Sequence, residues 1–463
     1  MITGKDLIAV GMKPGKWFNA AIQAANEALN EGQSRPEAIA AGLTLQPPAP
    51  VGLSNAGTVE FYRNIEATNP AEEANVAAVE ATMMELMRTP VVKAGAIMPD
   101  ACPAGPLGTI PVGGVISSTG IHPGMHSADI CCSMAITVLP GVDPAQLLDA
   151  VHRVTHFGPG GRREGQRVPM PLDIIAQMQG NRFLRDKLEL AASNFATQGD
   201  GNHFAYVGTM KSTGDTVLVT HHGSRGPGAA LYKEGIRIAD RTRLERSPET
   251  LKGNAWIDSD TKDGDDYWEG LQILRQWTKA SHYAIHDMAI SQTDGRATDR
   301  FWNEHNFVFR KSDGLFYHAK GATPAFAGWA DDATDLTIIP LNMSQPILIV
   351  RGSNADNGLG FSPHGAGRNF SRTQHKRMMS GKTDEEIFAE ETKGIDARFY
   401  MGIADISELP SAYKDATTVR SQIAKYGLAE VVDEVIPYGC IMSGDWERDA
   451  PWRKKTNKNL ETA

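Results

Sequence analysis

The chain has 463 residues, a formal net charge of −9, 41% hydrophobic residues and 46 glycines, which describes a loop-rich globular protein of one large catalytic unit or two to three ordinary domains. It contains no run of about 18 apolar residues, so a membrane span is not expected. The acidic balance argues against a bulk nucleic-acid coat and leaves room only for a local basic groove.

The start shows no charged-then-apolar leader pattern. Four cysteines, with Cys131 and Cys132 adjacent, do not resemble a secreted disulfide framework, so a reducing cytoplasm is the expected compartment. Residues 1–90 read as a helical extension. Pro14, then Trp17, Phe18, Ile22, Ala25 and Leu29 at helical spacing, predict a helix with proline in its first turn. Residues 34–52, with Pro47, Pro48 and Pro50, read as a linker, and residues 70–88 as a second helix. From Val91 the texture changes to short apolar strands and glycine turns, continuing to the C-terminus as one catalytic domain over residues 91–463. Helices are expected in residues 144–200 and in a long tract over residues 231–296. Strands are expected around Phe301–Phe309, 346–352 and 436–442, with a basic tail of Arg453, Lys454, Lys455 and Lys458.

The chemistry-bearing residues fall within this strand-and-turn region. The stretch around Gly201-Asn202-His203-Phe204, a Gly214–Asp215 turn and Val217 to His222 read as a hairpin that carries histidines beside glycines. Gly223, Gly226 and Gly228 leave backbone N–H groups open to an anion, and with Arg225 they suggest a metal working on phosphate. Asp129 and Cys132, three apart around a tight turn, pair a hard and a soft ligand, which suits Mn, Fe, Co or Zn better than Mg alone. A buried strand cysteine is more often simple packing. His282 and His286 sit four apart on one helix face, where a surface or core pair is the plainer reading. His364, flanked by Gly365 and Gly367 and followed by Arg368 and Arg372, is open to react beside cations that would neutralise phosphate. Arg162, Arg163 and Arg167 fit a phosphate-binding loop or a solvated one equally well.

Taken in order, these motifs resemble the RtcB family of RNA-splicing ligases. The matching pieces are Met98-Pro99-Asp100, Asp129-Ile130-Cys131-Cys132, Gly201-Asn202-His203-Phe204, His221-His222-Gly223-Ser224-Arg225-Gly226, Glu304-His305-Asn306-Phe307, Lys320-Gly321-Ala322, His364-Gly365-Ala366-Gly367-Arg368 and Ala412-Tyr413-Lys414-Asp415. The resemblance implies an α+β catalytic unit with strands converging on two Mn²⁺ ions held by Asp129, Cys132, His203, His221 and His305. It also implies that His364 attacks the α-phosphate of GTP, that the nucleotide passes to an RNA 3′-phosphate (made from a 2′,3′-cyclic phosphate where needed), and that a 5′-hydroxyl then seals the strand. Asn202 and Arg225 would contact phosphates, and Gly365, Ala366, Gly367 and Tyr413 would line the nucleotide site. Arg162, Arg163, Arg167, Arg368 and Arg372 would line the RNA groove. The resemblance names neither the RNA nor an activating partner protein.

Several positions depart from the family pattern. Cys102 stands where a histidine is usual, and Cys131 and Ser133 stand where glycines are usual. At the guanine-reading positions the chain has Tyr206 for an acid, Asn342 for a serine, and Ser443-Gly444 for Lys-Gly. The altered guanine positions motivate a second reading, a metal-dependent RNA end-processing phosphoesterase that has lost ligation, and the helical extension with the basic tail motivates a third, a non-catalytic RNA-binding protein on the same scaffold.

Overall fold

The computed structural model describes residues 1–15, 17–46 and 50–445. Pro47, Pro48 and the basic tail of Arg453, Lys454, Lys455 and Lys458 lie outside the described residues. The chain forms two compact units, one of Met1–Gly52 with Leu244–Pro248, the other of Leu53–Arg243 with Glu249–Ala463. The division falls at Gly52, not near residue 90. The reason is local: the helix Pro70–Leu86 buries Val79, Met83 and Leu86 against Ile97 and Ile116, strand residues of the larger unit.

The smaller unit contains the helices Gly4–Ala9, Phe18–Asn30 and Arg35–Leu43, which bury Leu7, Ala21, Ala25 and Ala38 together. The last helix replaces part of the expected linker. Ser34 and Glu37 form a capping box and Pro36 occupies the first turn, so a proline that reads as a linker residue instead starts a helix.

The larger unit is built on two main sheets. An eight-stranded sheet contains, in spatial order, Leu336–Ile339, Ile347–Gly352, Ala429–Met442, Phe204–Met210, Thr216–His222, Ser133–Leu139 and Asp299–Glu304; Asp396–Phe399 runs parallel to Ala429–Met442, and the other neighbours are antiparallel. Its central strands are buried throughout, Thr216–His222 and Ser133–Leu139 on every residue, in keeping with their β-branched and aliphatic content. A five-stranded sheet contains Phe61–Arg63, Val92–Cys102, Val112–Ser118, Phe316–Lys320 and Asn306–Arg310. The aromatic run around Phe301–Phe309 is therefore two strands in two sheets, and His305 sits at the break between them. The long helical tract is likewise two helices, Arg225–Arg246 and Lys262–Ile290, separated by Pro248 and Gly253. No helix among the described residues is long and apolar enough to cross a membrane.

Candidate active site

The register of the eight-stranded sheet determines where the histidines fall. Phe204 lies opposite His221, Met134 opposite His221 on the other side, and Ser133 opposite Glu304. His203 precedes the first of these strands, His221 lies near the end of the second, Cys132 precedes the third and His305 follows the last. Residues scattered over more than 170 positions of sequence thus meet at one end of four adjacent strands. Cys131, at φ +57°, makes the turn before Cys132: its N–H donates to the Asn306 carbonyl at 2.8 Å, and Cys132 N–H donates to the Asp129 carbonyl at 3.2 Å. A left-handed non-glycine residue is strained, and strain of this kind collects at functional sites. Gly223 allows Asp129 into the cluster, because a Cβ there would stand 2.1 Å from Asp129 Oδ1.

Two ligand groups result, Asp129–Cys132–His203 and Cys132–His221–His305, with their donor atoms within 4.8 Å of one another and Cys132 common to both. Cys132 Sγ lies 3.1 Å from His221 Nε2 and 3.6 Å from His203 Nε2; His203 Nε2 lies 3.1 Å from Asp129 Oδ2, and His221 Nε2 lies 3.1 Å from His305 Nε2. The tautomers are fixed from behind. His203 Nδ1–H donates to the Gln198 carbonyl at 2.6 Å and His221 Nδ1–H to the Asn202 carbonyl at 3.0 Å, which leaves each Nε2 lone pair facing inward. Burial pushes His221 down to about 3 and His305 well below its ordinary value, so both are neutral ligands at neutral pH. Burial would raise the Asp129 carboxyl, yet His203 beside it holds it well below the usual carboxylate range. Burial, with Asp129 adding to it, pushes the Cys132 thiol well up. A carboxylate, inward imidazole lone pairs and a thiol converge as a donor set that could hold divalent metal, and metal held there would favour the thiolate form of Cys132.

His364 follows the short strand Phe361–Pro363, and its ring centroid is 4.9 Å from that of His305. Its Nδ1–H donates to Asp100 Oδ2 at 2.6 Å and its backbone N–H donates to the same oxygen at 3.2 Å. Asp100 is fully buried at the end of a strand of the five-stranded sheet, and its Oδ1 has no hydrogen-bond partner. With Nδ1 committed, the Nε2 lone pair is the atom left to react. Gly367, at φ +72°, lets the chain pass the Asp100 carbonyl, which a Cβ would meet at 1.9 Å.

A cavity of about 290 Å³ joins these groups. Asp129, Cys132, His221, His305, His364, Asn202, Asn342, Gly365, Ala366, Gly367, Arg368 and Tyr413 line it. Ser443 does not; its hydroxyl is buried elsewhere without a partner. Arg225 does not line it either. Its Nη2 donates to the carbonyls of Gly158 at 3.1 Å and Gly160 at 3.3 Å, so it anchors the glycine loop. Arg162 donates to the carbonyls of Val154 and Ala196, and Arg167 pairs with Glu189, so the expected basic loop spends two of its arginines internally, while Arg163 is exposed. Arg368 and Arg372 both pair with Glu408, at 2.6 and 2.7 Å, and the Arg368 guanidinium lies 4.5 Å from the centre of the Tyr413 ring. His282 and His286 are core residues. They bond Ser133, Thr137 and Thr220 hydroxyls, and His282 stacks on His222 at 3.5 Å.

Two residues that hold the site's side chains in place had no assigned role in the sequence. Asp100 was signalled by Met98-Pro99-Asp100 but had no assigned role. Glu408 carried no signal, since nothing local marks a lone acid as the partner of two arginines 36 and 40 residues away.

The family model for tRNA-splicing ligase RtcB matches residues 171–443. The chain is 27% identical over 366 residues to an RNA-splicing ligase RtcB of Escherichia coli K12, covering 71% of this chain and 86% of that one. It is 28% identical over 287 residues to a tRNA-splicing ligase RtcB of Archaeoglobus fulgidus, covering 52% and 58%. With the motif order, the converging donor set and a family match over more than half its length, the chain belongs to the RtcB family.

Proposed function

We propose that this protein is an RNA ligase that joins an RNA 3′-phosphate or 2′,3′-cyclic phosphate end to a 5′-hydroxyl end through a nucleotide carried on His364. The observation that carries the reading is the pairing of His364 with buried Asp100, which frees Nε2 beside a shared donor cluster. Asp129, Cys132, His203, His221 and His305 would hold two Mn²⁺ ions. Bound there, the ions would neutralise phosphoryl oxygens and oppose the charge that builds up in each transfer.

His364 Nε2 attacks the α-phosphorus of a nucleoside triphosphate such as GTP; an N–P bond forms and pyrophosphate leaves. Asp100 fixes the ring and stabilises the positive charge it gains. The nucleotide passes to the RNA 3′-phosphate oxygen and releases His364, after water has opened the ring of a cyclic end. The 5′-hydroxyl then attacks the activated 3′-phosphate and expels the nucleoside monophosphate. Arg368 would meet phosphate charge at the cavity wall, and Asn202 a phosphate near the donor cluster. Every residue named here lies in the larger unit, which is the catalytic domain in this reading, with the helical unit as an appendage. A bridging thiolate needs a reduced cysteine, and the four cysteines are free, which fits work in the cytoplasm.

The test is strand joining. The protein with Mn²⁺ and nucleoside triphosphates is incubated with an RNA pair ending in 2′,3′-cyclic phosphate and 5′-hydroxyl, and the products are resolved on a denaturing gel. A joined product that disappears with His364→Ala supports the reading. Opening of the cyclic phosphate without joining would favour the end-processing alternative, and an unchanged RNA would refute both.

A further inference from the structure

The cavity that holds His364 has an apolar portion formed by Phe204, Tyr206, Met343, Ile347, Cys440 and Met442. The sheet produces it. Cys440 pairs with Tyr206 and Met442 with Phe204 on adjacent antiparallel strands, and alternation puts all four side chains on one face. A nucleotide whose α-phosphorus meets His364 must seat its base within the same 290 Å³ cavity, and this surface is what can enclose a flat aromatic ring.

Two polar atoms beside this surface are engaged within the protein. Tyr206 OH donates to the Val435 carbonyl at 3.0 Å and lies 3.4 Å from that of Gln345. Asn342 Oδ1 accepts from the Ser344 N–H and hydroxyl, both at 3.0 Å. Guanine differs from adenine in presenting N–H donors at N1 and N2, which require acceptors, best a carboxylate. The carboxylates among the described lining residues are Asp129, in the donor cluster, and Glu408. Glu408 takes Arg372 Nε on one oxygen at 2.7 Å, and Arg368 and Tyr413 OH on the other at 2.6 Å each.

We propose that this base subsite accepts purines by packing, without reading the guanine edge, so that ATP serves as nucleotide donor alongside GTP. The proposal rests on the histidine–nucleotide reading above. Discrimination of many orders arises where a site's buried polar groups go unpaired with the wrong ligand, and an apolar surface without such groups separates related ligands by little.

The test uses the full-length protein with Mn²⁺ and, separately, α-labelled GTP, ATP and ITP, following the rate of covalent labelling. ATP and GTP should label with kcat/KM values within about tenfold of each other. ITP, which lacks the N2 amine, should match GTP. Labelling by GTP with ATP slower by more than about a hundredfold would overturn the proposal while leaving the ligase reading intact. So would a comparable loss with ITP. No labelling by any of the three would overturn the histidine–nucleotide reading, and this inference with it.

Discussion

Asp100 accepts both the ring and the backbone N–H of His364 from a fully buried position, so the tautomer and direction of the imidazole depend on one carboxylate. Asp100→Asn keeps the size and removes the charge. Covalent nucleotide labelling should slow by about a hundredfold or more, while metal content stays at the native value, because Asp100 touches none of the donor atoms. Labelling at the native rate would show that orientation by Asp100 is unimportant. Cys132 has the opposite signature, as the one residue shared by both donor groups. Cys132→Ala should drop bound Mn²⁺ from two per chain to below one, measured by elemental analysis after gel filtration; two retained ions would exclude a bridging sulfur. Cys132 and His364 stood out in the sequence because each carries its chemistry in its side chain and sits in a short motif, whereas Asp100 had a motif and no assigned role. What fixes them was not legible: the carbonyls of Gln198 and Asn202 behind His203 and His221 are backbone atoms with no mark in sequence. The sequence likewise carries no mark of the Gly158 and Gly160 carbonyls that accept from Arg225 Nη2.

At the scale of elements, strand register does the assembling, and two features protect it. Gly223 ends the strand Thr216–His222 where Asp129 passes within van der Waals reach. Gly223→Ala should displace the Asp129 carboxylate and weaken Mn²⁺ binding by about tenfold or more, read by isothermal titration. Unchanged affinity would mean that the turn absorbs the methyl group. Behind the sheets, histidines serve as core residues. Burial holds His122 and His126 down at about 4, His122 bonded to Ser118 and the Asn254 carbonyl and His126 to Tyr267. Both groups titrate near 6.5 in the unfolded chain, so their contribution is present above pH 6.5 and lost as pH falls towards 4. Stability should fall by roughly 1 kcal/mol per group per pH unit within that window. Urea unfolding at pH 7.0 and 5.5 measures this, and identical midpoints would contradict it. Sequence periodicity predicted most of these elements, including the helix Pro70–Leu86 and the strands around Val217 and Pro346. It failed at Arg35–Leu43, where a capping proline looked like a linker, and at His305, where one apolar run conceals a change of sheet.

At the scale of the whole molecule, the boundary between units depends on which hydrophobic faces meet, and composition alone does not carry that information. The segment Leu244–Pro248 joins a unit otherwise made of the first 52 residues, with Val51 N–H donating to the Arg246 carbonyl at 2.8 Å, a contact between segments far apart in sequence. Metal bound in the larger unit would also tie together four strands of the eight-stranded sheet. Chelation should therefore lower the melting temperature of the native protein, and added Mn²⁺ should restore it in a concentration-dependent way. A melting temperature insensitive to both would show that the cluster does not hold metal. The central claim is that His364 carries the nucleotide, and it is tested most directly by incubating the native protein with Mn²⁺ and α-labelled GTP and ATP, then mapping the adduct by mass spectrometry under alkaline conditions. The account predicts an acid-labile nucleoside monophosphate on His364, absent from His364→Ala. No adduct, or an adduct confined to another residue, would contradict it.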